Sequence, residues 1–429
     1  MQESDISEQF FTTVGPVRSL SNAGSGPVEF QFEPSPVHLS DLSQCYLNLS
    51  VKMKRVDGSN LEHRTGVTPA QYTDRDSLTF TADNAGNDAK ASCANNLFHT
   101  LFSEVELKLN GNRIERVVDY PYVAFLSTLL GFDDKHKENA LGGLQGWYVD
   151  QQNKHDSADN TALNKRIQHM LLNGREAHFK GRLCLGTMDM GPQLIPNHMK
   201  IEVLLTRKDP NFVLIDHGTG AIKNTYTFEL TNATLDLKRV GLHPEALQAY
   251  EEQLKTGVDF HFLKTDCKAF VQPPQTNDIL LENMFAGQVP KSVLVAMTGN
   301  AAYHGQVEKN PFHFRHFDVN TASLLVNGTQ FPGPDGYRLA MSNHKFVAPY
   351  LDIYRHTHVF HGLTKQEYAQ GTFFLMFDLS GCDEESGVVA GRFFFDKALS
   401  EAVTLLALAT TPVSFKIDNQ RNIHMNYTP

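Results

Sequence analysis

The chain has 429 residues, 41% of them hydrophobic and 20% charged, which places it in the globular class with room for two domains of about 150 to 200 residues each. A formal net charge of −10, from 48 acidic and 38 basic residues, excludes a surface built as a whole to hold a phosphate backbone. The aromatic set of 29 Phe and 13 Tyr against one Trp favours sheet interiors and subunit contacts.

Residues 1–35 are polar, rich in Ser, Gly and Pro, and read as an N-terminal arm. The opening MQESDISEQF lacks the basic and apolar regions of a signal peptide, and no run of 18 apolar residues follows, so neither signal-peptide secretion nor a membrane span is expected. From residue 36 the pattern tightens. Leu47, Leu49, Val51 and Met53 alternate with polar residues up to a turn at Asp57-Gly58, as in a long strand with one buried face. Residues 57–90 are mostly polar and loop-like, and a short helical turn is expected over 95–102.

The clearest pattern lies at 91–133. Val105, Leu107 and Leu109 alternate with Glu104, Glu106 and Lys108, and Asn110-Gly111 then supplies a tight reversal because both residues tolerate positive φ. After the return strand, Pro121 opens a helix whose apolar residues run to Leu130. Residues 131–170 read as a long solvated excursion, with 141–146 a flexible glycine-rich loop. Strands are expected again at 176–184 and 199–207, separated by a bend at Gly191, Pro192 and Pro196.

Asp209-Pro210 and the glycines at 218 and 220 suggest a domain boundary. Beyond it, 234–240 (TLDLKRV) resembles 50–56 (SVKMKRV), and 323–331 echoes the Asn-Gly hairpin with Asn327-Gly328. Two matches in the same order suggest two copies of one domain. A short helix is expected from Pro244, then strands at 259–263, 267–271, 293–298, 315–319, 372–379, 387–397, 402–410 and 413–417, with 332–370 largely loop. Without the periodic helices of a parallel sheet, the pattern predicts an all-β chain of two sandwiches or barrels, each with roughly eight strands and long corner loops.

Chemistry is sparse. His356, His358 and His361 with Glu367 have a spacing that a metal could use, but 19 histidines make such a spacing easy to reach by chance, and a loop role is the better reading. His313 and His316 read as sheet residues, and Asp189, Asp209 and Asp378 as strand-end or turn residues. No nucleophile elbow, phosphate loop or dinucleotide fingerprint occurs. Basic residues at 55, 116, 165–166, 182, 207–208 and 238–239 are scattered and read as solvated surface. Cys45, Cys93, Cys184, Cys267 and Cys382 lie far apart without a CxxC pair, as reduced, buried thiols do. No catalytic, cofactor-binding or metal residue is assigned. The residues singled out are the structural set Val105, Leu107, Leu109, Asn110, Gly111, Asn327 and Gly328.

In order along the chain, 101–111 (LFSEVELKLNG), 120–130 (YPYVAFLSTLL), 189–197 (DMGPQLIPN), 201–209 (IEVLLTRKD), 285–290 (FAGQVP), 310–314 (NPFHF) and 326–328 (VNG) resemble the double jelly-roll major capsid proteins of double-stranded DNA viruses, most closely the polinton-like and adintovirus-like group. The resemblance implies two tandem eight-stranded antiparallel jelly-rolls, at 36–210 and 225–420, with a linker at 211–224 and a tail at 421–429. It also implies a non-catalytic structural protein of the virion, made in the host cytoplasm, that forms pseudo-hexagonal homotrimers in an icosahedral shell. The implied partners are neighbouring capsomers and the vertex (penton) and inner minor capsid proteins, with no specific nucleic-acid binding. A carbohydrate- or receptor-binding β-sandwich and, behind it, a β-barrel metalloenzyme are the alternative readings.

Overall fold

Strand formation follows the buried alternation wherever the sequence carries it. The computed structural model describes residues 5–20, 26–61, 91–166, 176–217, 226–357, 361–382 and 384–427. Its first eight long strands are β1 (Ile6–Val14), β2 (Val28–Phe32), β3 (Leu39–Arg55), β4 (Phe102–Leu109), β5 (Asn112–Val118), β6 (Ala177–Gly181), β7 (Ile201–Arg207) and β8 (Tyr226–Leu242). Hydrogen bonding orders them β1-β8-β3-β6 in one sheet and β2-β7-β4-β5 in the other, all antiparallel. Leu47, Leu49, Leu235 and Leu237 from the first sheet and Phe30, Val105, Leu107, Leu109 and Val203 from the second are buried in one core. Each such side chain taken from water contributes about 1.5–3 kcal/mol.

The next eight repeat the order. They are β9 (Val258–Gln272), β10 (Asp278–Gln288), β11 (Ser292–Gly299), β12 (Val319–Val326), β13 (Thr329–Phe331), β14 (Phe374–Asp378), β15 (Ser386–Phe395) and β16 (Val403–Ile417). They pair as β9-β16-β11-β14 and β10-β15-β12-β13. Adding eight to every label of the first half gives the second, so the chain is all-β with two tandem eight-stranded jelly-rolls.

The hairpin β4–β5 and its echo β12–β13 therefore occupy the same topological position. The other sequence match has a different meaning. Residues 50–55 and 234–240 lie in β3 and β8, adjacent antiparallel strands of a single sheet, with Leu47 opposite Leu235 and Cys45 opposite Leu237. Their likeness is that of two buried strands sharing one core, not of two equivalent strands.

Pairing also moves the expected edges of the domains. The segment 1–35, expected as an arm, supplies β1 and β2, because β1 gains a full ladder from β8. β8 lies beyond the expected linker at 211–224 yet completes the first jelly-roll, and the junction falls in the helix Pro244–Thr256. The glycines at 218 and 220 lie outside the described residues. The tail is also paired, with Ile423–Met425 forming a strand against β16.

Smaller departures have local causes. Residues 259–263 and 267–271 belong to one strand, as do 402–410 and 413–417, because the ladder between β9 and β16 runs unbroken through the intervening residues. β10 was not expected, since most of its side chains are exposed and its apolar alternation is weak. Residues 315–318 turn, with Phe317 and Asp318 at positive φ.

Helices fill the connections. α1 (Tyr120–Gly131) is buried on nearly every side, and α2 (Pro244–Thr256) buries only Tyr250 and Leu254. The stretch expected as loop at 332–370 holds α3 (Val347–Thr357) and α4 (Lys365–Ala369). Likewise 141–146 is largely helical, with Gly142–Gln145 forming a turn that ends on Gly146 at φ 74. Among the described residues no helix is long and apolar enough to cross a membrane, and all five cysteines are free.

Candidate functional site at the junction of the jelly-rolls

The hairpin residues are placed alike in both halves. Val105, Leu107 and Leu109 are fully buried, and both turns hold their two residues at positive φ, Asn110 at 46 and Gly111 at 78, Asn327 at 47 and Gly328 at 93. The asparagines then make the same reciprocal contact. Asn110 donates its backbone N–H to the Lys200 carbonyl (2.9 Å) while its Oδ1 accepts the Lys200 N–H (2.8 Å). Asn327 does so with Val388, at 3.3 and 3.1 Å. Each tip is thereby fastened at the start of the strand beside it, Lys200 just before β7 and Val388 near the start of β15.

Between the two sandwiches lies a shared aromatic core. Tyr122 and Phe125 of α1, Trp147 and Phe212 come from the first half, and Tyr303, Phe312 and Phe314 from the second. Phe125 stacks on Phe312 with centroids 4.3 Å apart and planes 7° from parallel, and Tyr122 stacks on Tyr303 at 5.8 Å. The Tyr303 hydroxyl is 3.1 Å from both oxygens of Asp119, at the head of α1. Such pairs add about 0.5–1.5 kcal/mol each beyond their buried area.

Beside these rings is a buried polar network that composition alone would have left in solvent. Arg166 has no exposed side-chain surface and donates to Asp150 (2.6 Å), the Tyr148 carbonyl (2.7 Å) and the Cys93 carbonyl (3.1 Å). Asp150 also accepts from Asn160 (2.8 Å) and, across the junction, from the Asn310 amide (2.9 Å). Asp156 accepts the Asn310 backbone N–H (2.7 Å) and pairs with His313 Nδ1 (2.8 Å). The His155 ring lies flat on His313, 4.7 Å between centroids, and a Cβ at residue 371 would lie 2.1 Å from it, so Gly371 makes room for it. Burial holds the His155 imidazole down to about 4 against the pull of Asp150. Burial raises the Asp156 carboxyl, but His313, the Asn310 N–H and Lys309 outweigh it and leave Asp156 below its usual range.

A second tie joins the halves at the tail. Arg421 binds Glu251 of α2 (2.6 Å) and the Asn197 carbonyl (3.0 Å), and the Tyr427 hydroxyl donates to the Ile114 carbonyl of β5 (2.9 Å).

The remaining sequence candidates have structural placements. His356 is half-buried in the last turn of α3, and His358 lies outside the described residues. His361 is fully buried, stacked on Tyr354 at 4.2 Å, and its Nδ1 accepts the Leu363 N–H (3.2 Å). Glu367 closes a capping box with Thr364 at the head of α4. Among the described residues, no three His, Cys, Asp or Glu side chains are gathered as metal ligands. Asp189 pairs with Arg182, Asp209 caps the short helix Pro210–Val213, and Asp378 binds Ser380. His313, expected as a sheet residue, lies in a turn, and Arg166 and Arg239 are buried instead of solvated because backbone and side-chain acceptors enclose them.

A comparison with protein-family models finds no match, and no curated protein matches. Solved structures do. A chain of the Sputnik virophage particle superposes with a TM-score of 0.61 at 11% identity, over 100% of this chain and 90% of that one. The mavirus major capsid protein gives 0.55 at 10% identity, over 98% and 91%, and the Faustovirus major capsid protein 0.56 at 8%, over 95% and 90%. The fold is that of the double jelly-roll capsid proteins. Near-complete coverage in both directions means that both sandwiches, and not only one, are matched.

Proposed function

We propose that the chain is a structural protein of a virus shell, a major capsid protein that acts as a homotrimer. The observation that carries this reading is the repeat of one strand order in two halves locked by a buried junction. Three such chains around an axis present six similar sandwiches, a threefold object with a nearly hexagonal outline that can tile a closed shell. The likeness in fold to the mavirus and Faustovirus capsid proteins supports it. Neighbouring capsomers, vertex proteins and inner minor proteins are then its partners, and the virion is its location. The burial of His361 and the capping role of Glu367 favour a non-enzymatic role.

Surfaces suited to assembly are present. Among the described residues β1 pairs only with β8, and its adjacent Phe10 and Phe11 are 42% and 52% exposed. An apolar edge strand of this kind calls for a covering partner. At a formal charge of −10 per chain, three chains carry 3 × (−10) = −30, so basic proteins, polyamines or cations are expected to neutralise the packaged genome.

Size-exclusion chromatography with light scattering tests the reading, with a species near three times 48.0 kDa expected. Phe10→Ser with Phe11→Ser should abolish that species while leaving a folded monomer, since β1 adds little to the core. A wild-type chain that stays monomeric at all concentrations overturns the proposal.

A further inference from the structure

The outer faces of the two equivalent sheets hold their cations differently. On the first, Arg116 donates to both oxygens of Glu104 (2.6 and 2.8 Å), Arg113 (2.9 Å) and Lys108 (3.3 Å) share Glu106, and Lys200 holds Glu202 (2.7 Å). On the second, Arg392 of β15 and the nearby Lys345 are exposed and have no carboxylate partner among the described residues. Arg338 has only Asp335, at 3.4 Å, and both are exposed.

These cations line an open groove of about 660 Å³. Strand register sets its floor. Ser323 of β12 lies opposite Arg392, and Thr321 lies opposite both Phe394 and Arg338. Ser323 is buried, whereas the half-buried Thr321 and Gln330 side chains make no hydrogen bond with other described residues. The groove thus combines two unpaired cations, Arg392 and Lys345, with the Arg338–Asp335 pair, an unused hydroxyl and amide and one aromatic ring, on a chain whose formal charge is −10.

We propose that this groove binds an acidic saccharide, with its sulfate or carboxylate groups on Arg392 and Lys345 and its hydroxyls on Thr321 and Gln330. Guanidinium forks recognise planar and tetrahedral oxyanions, and a sugar ring matches the neutral lining. A bare inorganic anion would leave that lining unused. A long phosphate backbone would extend beyond the groove into the negative field of the rest of the chain. The inference goes beyond the capsid proposal and stands or falls independently of whether copies assemble.

The test is surface plasmon resonance of the full chain on immobilised heparin oligosaccharide, with dextran as the neutral control. Wild type should bind heparin and not dextran, and Arg392→Gln with Lys345→Gln should weaken binding at least about tenfold, the loss of roughly one good charged contact. Arg113→Gln on the first sheet should leave binding unchanged, and light scattering should show the oligomeric state unaltered in every variant. Absence of heparin binding by wild type, or undiminished binding by the double variant, overturns the proposal. So does equal competition by inorganic sulfate or by single-stranded DNA at matched charge, which would assign the groove to simple anions or to phosphate chains.

Discussion

The two jelly-rolls share a strand order but use the connection after their fifth strand differently. In the first half the described part of that connection, from 119 to 166, turns inward. It supplies α1, Trp147 and the Arg166–Asp150 pair, all buried against the second half. In the second half the described part of the matching connection, 332–357 and 361–373, turns partly outward. α3 buries Pro349 and Ile353 but leaves Val347 and Leu351 exposed, and Arg338 and Lys345 line the open groove. Conserving the strand order preserves the sandwich, whereas the connections decide which surface joins the halves and which faces other molecules.

The sharpest way to break this contrast is to remove one partner of the inward pair. Asp150→Ala would leave the Arg166 guanidinium buried with only carbonyl partners and Asn310 without its acceptor. Breaking a buried pair in this way costs about 3–5 kcal/mol. Replacing both residues with apolar ones, Asp150→Leu with Arg166→Met, should cost less than the single change. Urea unfolding at fixed protomer concentration measures both, and a single-variant loss below about 1 kcal/mol would show that the inward connection does not fix the junction.

Acid should loosen the same junction. His155 at the junction is held down to about 4, and His99, buried in the first half with its Nδ1 2.7 Å from the Tyr120 hydroxyl, to about 3, in both cases by burial, against about 6.5 in an unfolded chain. Between those values the unfolded state binds more protons, so stability is present above about pH 6.5 and falls as the pH drops toward 4 for His155 and further toward 3 for His99. For His155 the full loss is about 3 kcal/mol. Asp156, held below its usual range, adds its own loss only at lower pH, as its carboxylate becomes protonated. Unfolding at pH 7.5 and 5 should show the decline, and His155→Gln should flatten it. A variant with an unchanged slope would place the acid sensitivity elsewhere.

What the sequence made legible was whatever rests on local period. Val105, Leu107 and Leu109 alternate with polar neighbours, so their strand and its buried face could be read directly. β1 could not, because SEQFFTT carries no buried alternation and becomes a strand only by pairing with β8, more than two hundred residues away. Arg166 sits in a polar stretch that reads as solvated. Its burial arises from acceptors at Cys93, Tyr148 and Asp150, which no spacing rule brings together. The groove was hidden for the same reason, since Arg392 and Ser323 meet only through cross-strand register.

The smallest expected effect is also the closest comparison between the halves. Asn110 and Asn327 were marked as turn residues for their tolerance of positive φ, and each has a second task, since its Oδ1 accepts a backbone N–H at the start of the neighbouring strand. Gly387 accommodates this in the second half, where a Cβ would fall 2.4 Å from the Asn327 side chain. Replacement by Gly keeps the turn conformation but removes the side-chain acceptor, so Asn110→Gly and Asn327→Gly should each cost about 1 kcal/mol, the net worth of one hydrogen bond. Replacement by Ala should cost more, because it loses the acceptor and adds strain at positive φ. Equal losses for the two Gly variants would mean that the echo is a single device used twice. A negligible loss at one site alone would show that its asparagine serves only the turn and that the correspondence ends at backbone shape.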